Sequence, residues 1–136
     1  MKKTAKAMVD EAMALITTYT PEQAKAMLGD PGVLFVDLRD VRELERDGVI
    51  PGALHAPRGM LEFWVDPECP YHRPEFSQDK ALLLFCAAGW RSALAARTLQ
   101  EMGVERVAHI GGGFTGWKEA GGTVAPKAAK KKAVEG

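Results

Sequence analysis

Residues 82–92 read Leu-Leu-Leu-Phe-Cys-Ala-Ala-Gly-Trp-Arg-Ser, and this run confines the chain more than any other. The apolar stretch lacks polar alternation, so a strand there must be buried on both faces, as a central parallel strand is. It ends in Cys86. A short loop with a glycine in it follows, and Arg91 and Ser92 open a helix predicted over 91–102, with Gly103 as its stop. A strand, a tight loop and a helix N-terminus in that order turn backbone N–H groups inward and add partial positive charge. A thiol held at that point is expected to ionise readily and to act as a nucleophile beside an anion site.

The rest of the chain repeats the theme. Apolar residues at Ala5, Met8, Val9, Ala12, Met13 and Ile16 predict a helix over 4–16. Thr20-Pro21-Glu22-Gln23 is a helix start with a capping box, and Gly29 is suited to end that helix. Asp30-Pro31-Gly32 turns into a second apolar strand over 33–38. Asp40, with Glu43 three residues on, caps a short helix to about Arg46. Residues 48–55 read as a loop entering a short strand, and residues 58–65 are expected to be helical. Residues 66–78 are polar, aperiodic and proline-bearing, which predicts a long loop. A strand over 107–110 and a helix over 114–119 complete the pattern. Strands alternating with helices imply an α/β domain: a central, mainly parallel sheet of about five strands between two helical layers. Ligands of such sheets bind beyond the carboxyl ends of the strands, where Cys86 and Asp37-Leu38-Arg39 fall.

Bulk properties narrow the function classes. A chain of 136 residues, 46% apolar and 26% charged, suits one soluble domain. The net charge is zero, so no global field favours nucleic acid or membrane. No stretch is apolar for long enough to span a bilayer. Asp10 and Glu11 interrupt what would have to be the core of a signal peptide. A cytoplasmic location is expected, and two cysteines, Cys69 and Cys86, suit a reducing compartment better than a disulfide framework. The expected organisation is a helical extension over 1–17, the α/β domain over 18–125 and a basic, flexible tail over 126–136.

Four motifs, in order, resemble those of single-domain rhodaneses. Val36-Asp37-Leu38-Arg39-Asp40 resembles the family's V-D-x-R-(E/D), and Ile50-Pro51-Gly52-Ala53 with Pro57 resembles its G-H-I-P-G-A…P. Cys86 to Ser92 resembles C-x-x-G-x-R-S, and Gly112-Gly113-Phe114-Thr115-Gly116-Trp117 with Ala120-Gly121 resembles the closing G-G…W…A-G. Val49 departs from the pattern, standing where the family has histidine. The resemblance spans roughly 18–125 and leaves the N-terminal helix unexplained.

The resemblance implies a sulfurtransferase. Cys86 would take sulfane sulfur from a donor such as thiosulfate, hold it as a persulfide, and pass it to cyanide or a thiol. Ala87, Ala88, Gly89, Trp90, Arg91 and Ser92 would form the substrate-binding loop, with Arg91 as a fixed cation. No metal or organic cofactor is implied. The expected partners are a small sulfur donor and a thiol, cyanide or protein acceptor. Neither nucleic acid nor membrane is expected, and both monomer and homodimer stay open. Phosphatases of related loop design, which the notion of an anion cradle also admits, place the arginine one residue further from the cysteine. Cys86 and Arg91 enclose four residues, the sulfurtransferase spacing. A phosphatase or arsenate reductase, a non-catalytic rhodanese-like binding module and an inert buried thiol remain as alternatives.

Other residues carry weaker expectations. Asp37 and Arg39 are supporting candidates or simply an ion pair, and Arg58 and His55 are candidates for the pocket or for structural roles. Trp90 either lines a substrate site or packs beneath the loop. Trp117 is expected in the core, and Phe63 and Trp64 are candidates for a pocket wall beside the long loop. Cys69 is either a resolving thiol for Cys86 or an incidental one.

Overall fold

The computed structural model describes residues 1–128. The expected tail falls mostly on 129–136, outside the described residues. The elements are α1 (Ala5–Leu15), β1 (Thr17–Tyr19), α2 (Pro21–Met27), β2 (Val33–Asp37), α3 (Val41–Asp47), β3 (Leu54–His55), α4 (Leu61–Val65), β4 (Ala81–Phe85), α5 (Trp90–Glu101), β5 (Val107–Ile110) and α6 (Gly113–Glu119). Single 3₁₀ turns cover Arg58–Met60 and Pro74–Ser77. Residues 58–65 are therefore a 3₁₀ turn running into one α-helical turn, and the long loop over 66–78 carries a short turn of its own.

The helix starts are chemical. Thr20 accepts from the Gln23 N–H while the Gln23 side chain accepts from the Thr20 N–H. Asp40 and Glu43 make the same reciprocal pair at the start of α3. Each box satisfies two N–H groups that a helix start would otherwise leave orphaned.

All five strands run parallel, in the order β1-β5-β4-β2-β3. Alternate strand residues feed opposite faces, as the two-residue period requires. On one face Val36, Leu82, Leu84 and Val107 pack with Leu61 of α4 and Ala95, Ala96 and Leu99 of α5, and Cys86 belongs to this cluster. On the other, Phe35, Leu83, Phe85, Ala108 and Ile110 pack with Ala24 of α2 and Phe114 and Trp117 of α6. Trp117 is fully buried, as expected, and meets Phe35 edge-on at 5.8 Å between ring centroids. Full burial of one such large side chain contributes about 1.5–3 kcal/mol.

β1 is a strand the sequence reading did not anticipate. Thr17–Tyr19 has only one partly buried residue and depends on pairing with β5 for its form. The expected boundary between residues 17 and 18 thus falls inside a strand of the sheet. The helix before it, α1, packs Val9 and Ala12 against Ala93 of α5. Val49, at the position of the family histidine, makes an isolated antiparallel bridge with Ala125.

Candidate active site

Register sets the stage. Asp37 of β2 lies beside Phe85 of β4, so both strands release their chain at one edge of the sheet. Leu38 N–H donates to the Phe85 carbonyl at 2.9 Å, and Cys86 is the next residue. The loop then folds back over its own sulfur. Gly89 N–H donates to Cys86 Sγ at 3.2 Å and Ser92 N–H at 3.4 Å. Gly89 takes φ +109° as the N-cap of α5, a conformation that glycine alone adopts cheaply.

The carbonyls of the loop are held from below. Phe114 N–H donates to the Cys86 carbonyl at 2.8 Å and Thr115 N–H to the Ala87 carbonyl at 3.1 Å. With those carbonyls engaged by α6, N–H groups are left for the sulfur. The contact requires Gly113, since a Cβ there would stand 2.5 Å from the Cys86 carbonyl oxygen, at φ +58°. The closing glycine motif therefore serves the cysteine loop directly. Cys86 itself is 1% exposed.

Arg91 lies at the loop as expected, but its fork is engaged. Nη1 and Nη2 donate to Glu43 Oε2 and Oε1 at 2.9 and 2.8 Å. The Arg91 hydrogen bonds hold the Glu43 carboxyl down at about 2 against the raising effect of burial, helped by the Asp40 N–H. Glu43 in turn raises the Arg91 guanidinium above its usual range, and the charges of Cys86 and Asp40 add smaller attractions. Glu43 was legible as a helix cap; its second role, holding the loop arginine, was not, because 48 residues separate the partners.

Two further polar residues reach the site. Ser92 Oγ lies 3.6 Å from Cys86 Sγ and 2.8 Å from His109 Nδ1. Ser92 was legible from the sequence as part of the loop, whereas His109 was not. The signal was a histidine on the face of β5 that Val107 also occupies, a buried polar group in need of a partner. Burial drives its imidazole down to about 4.

The supporting candidates separate. Asp37 and Arg39 form a buried bidentate pair, with Arg39 Nε to Asp37 Oδ1 at 3.0 Å and Nη2 to Oδ2 at 2.8 Å. Arg39 also donates to the Gly48 carbonyl at 2.9 Å and stacks 4.0 Å over the Phe114 ring. His55 Nε2 bonds the Arg39 carbonyl at 2.6 Å. Arg58 pairs with Glu62 at 2.7 Å and lines a groove of about 460 Å³ between α1 and α5. Trp90 points outward, 54% exposed, rather than packing under the loop, and Ala88 beside the loop's crest is exposed while Ala87 is half-buried. Trp64 packs on the core and under the Arg73 guanidinium at 4.7 Å, whereas Phe63 is half exposed. Cys69 is a half-buried free thiol within a chain of turns whose Arg73 N–H bonds the Trp64 carbonyl.

Known proteins share this frame. The profile of the rhodanese-like domain matches residues 20–120. A thiosulfate sulfurtransferase, GlpE, of Glaesserella parasuis is 31% identical over 101 residues, 74% of this chain and 85% of that protein. Among solved structures, a protein of unknown function from Rhodopseudomonas palustris, described as a possible tyrosine phosphatase, is 51% identical. It superposes with a TM-score of 0.89 over 92% of this chain and 96% of its own. The polysulfide-sulfur transferase homodimer of Wolinella succinogenes is 28% identical, with a TM-score of 0.67 over 90% of this chain and 88% of its own. With the fold, the cysteine loop and a match across residues 20–120 in agreement, this chain belongs to the rhodanese-like domain family.

Proposed function

We propose that this chain is a sulfurtransferase that carries sulfane sulfur as a persulfide on Cys86. The observation that carries the reading is the pair of N–H groups, from Gly89 and Ser92, directed at Sγ inside a loop whose arginine follows the cysteine after four residues. Relatives that are named sulfurtransferases support it. The Cys86 thiolate attacks the outer sulfur of a thiosulfate-like donor. The S–S bond of the donor breaks, and sulfite leaves with the electron pair. An acceptor thiolate or cyanide then attacks the terminal sulfur of the persulfide, and Cys86 leaves as thiolate. The same loop N–H groups stabilise negative charge in both steps. The residues we assign to donor binding are 87–92. Arg91 screens the anion from its place on Glu43, and the exposed Trp90 offers an acceptor an apolar contact. A protein acceptor fits that exposed ring as well as a small thiol does. Two free thiols suit a reducing, cytoplasmic setting.

The test is intact mass after thiosulfate treatment. The wild type should gain one reducible sulfur, and Cys86→Ala none. The neighbour described as a possible phosphatase, half of whose residues this chain shares, supports a second reading. Absence of sulfur uptake together with vanadate-sensitive hydrolysis of an aryl phosphate would establish it instead. Absence of both, with capture of a binding partner, would leave a non-catalytic module.

A further inference from the structure

Cys86 has a second connection to the surface, behind the loop. The Cys86 Sγ to Ser92 Oγ contact, at 3.6 Å, is the first link of a series. Ser92 Oγ to His109 Nδ1 at 2.8 Å is the second, and His109 Nε2 to Thr18 Oγ1 at 3.0 Å is the third. The sulfur, the serine and the histidine are each at most 1% exposed, while Thr18 is exposed. The third link follows from topology: the parallel register pairs Thr18 of β1 with His109 of β5. Burying a hydroxyl and an imidazole on a face otherwise packed with aliphatic side chains is costly unless each is bonded, and here each is bonded to the next.

We propose that Ser92, His109 and Thr18 are positioning residues that form a reversible hydrogen-bond relay. It carries the Cys86 proton to solvent and returns a hydrogen bond to the thiolate left behind. The inference rests on Cys86 being the reacting atom proposed above.

The protons balance. With Cys86 as a thiol, S–H donates to Ser92 Oγ, Ser92 O–H donates to Nδ1, and Nε2–H donates to Thr18 Oγ1. Ionisation moves the sulfur's proton to Ser92 Oγ as the serine proton moves to Nδ1, and the Nε2 proton passes by way of Thr18 Oγ1 to water. One proton has left, one negative charge sits on Sγ, and the imidazole is neutral before and after, in exchanged tautomers. Nδ1–H now donates to Ser92 Oγ, so the hydroxyl can no longer donate to the ring. Its remaining acceptors are Sγ and the Gly89 carbonyl at 3.2 Å, and the charged sulfur is the stronger. The thiolate then has three donors, two from the backbone and one from Ser92. A neutral ring suits this passage, since burial disfavours a standing imidazolium.

Charged groups bear on the sulfur rather than on the relay. Arg91, paired with Glu43 and attracted by Asp40, also feels the charge of Cys86. Asp37 and Arg39 neutralise each other at the end of β2. The Lys3–Glu11 and Lys6–Asp10 pairs of α1 and the Arg97–Glu101 pair of α5 are exposed to solvent. The remaining contact of Thr18 Oγ1 is with Met13 Sδ at 3.9 Å, a weak acceptor.

The experiment is the rate of Cys86 alkylation by iodoacetamide against pH, read by peptide mass spectrometry so that Cys69 is counted separately. Ser92→Ala should move the midpoint up by about one pH unit, roughly ten-fold slower alkylation at neutral pH, with the high-pH plateau unchanged; His109→Phe, which leaves Ser92 free to donate to the sulfur or to the Gly89 carbonyl, should move it by less. His109→Asn keeps an N–H near the place of Nδ1 and should recover part of the shift. Thr18→Val changes an exposed strand residue without threatening the fold and should move the midpoint in the same direction by less. Loss of packing alone would lower the melting temperature and leave the midpoint in place. Folded Ser92→Ala and Thr18→Val proteins with the wild-type midpoint would overturn the relay, whatever His109→Phe does. Alkylation needs no sulfur donor, so a failure of thiosulfate loading is a separate result.

Discussion

Arg39 and Arg91 each grip a carboxylate with two nitrogens, yet they sit in opposite settings. Arg39 is 1% exposed and its partner Asp37 2%. Its guanidinium is stacked on Phe114, tied to Gly48, and retains a buried Nη1 without a partner. The Arg91 side chain is 40% exposed and Glu43 15%. In the first case neither charge can leave without stranding the other in the core. In the second, water can receive either partner. A motif arginine can thus be a fixed brace or a cation in reserve, and burial decides which.

The largest effect should come from breaking the brace. Asp37→Ala strands the Arg39 charge and should cost about 3–5 kcal/mol in urea unfolding. A loss near that of a surface pair would erase the distinction. Gly113→Ala comes next. It forces a side chain at positive φ against the Cys86 carbonyl, should cost about 1–3 kcal/mol, and should abolish thiosulfate loading at temperatures where the protein remains folded. It acts on the joint that Arg39 braces through Phe114.

Releasing the reserve should act on binding more than on stability. Glu43→Gln should cost about 1 kcal/mol, through the cap and a partly exposed pair. It should lower the KM for thiosulfate several-fold with kcat little changed, and Arg91→Ala should raise that KM. If both variants leave KM alone, Arg91 belongs with Arg39 as structure. The same pair has a pH signature. Glu43 is lowered in the folded protein from 4.5 to about 2. Its contribution is therefore complete above 4.5 and is lost as pH falls toward 2, and an acid melt of Glu43→Gln should be flatter in that window. Arg58→Ala should be the smallest change, within about 0.5 kcal/mol, with thiosulfate loading intact.

The local rules were readable in advance. Both capping boxes, the two central strands and the helix after Cys86 follow from periodicity, caps and glycine stops, and each lies within one stretch of chain. The Cys86 loop was legible for the same reason. What escaped depends on partners distant in sequence. β1 carries no apolar run of its own and exists because β5 offers it an edge. The hold of Glu43 on Arg91 joins α3 to α5, and His109 gains its meaning only beside Ser92 and Thr18, from two elements that both precede it in the chain. Trp90 shows a further limit. Its composition fitted either the pocket or the packing, and only the backbone turn at Gly89 decided that it faces outward.

The pairing of β1 with β5 also orders events in time. Thr17–Tyr19 is made early by the ribosome but has no strand to join until Val107–Ile110 has emerged, and α6, which holds the Cys86 carbonyl, comes later still. A nascent chain therefore carries its cysteine for some thirty residues before the cradle around it can close. The cradle thus depends on an element made well after the cysteine it surrounds.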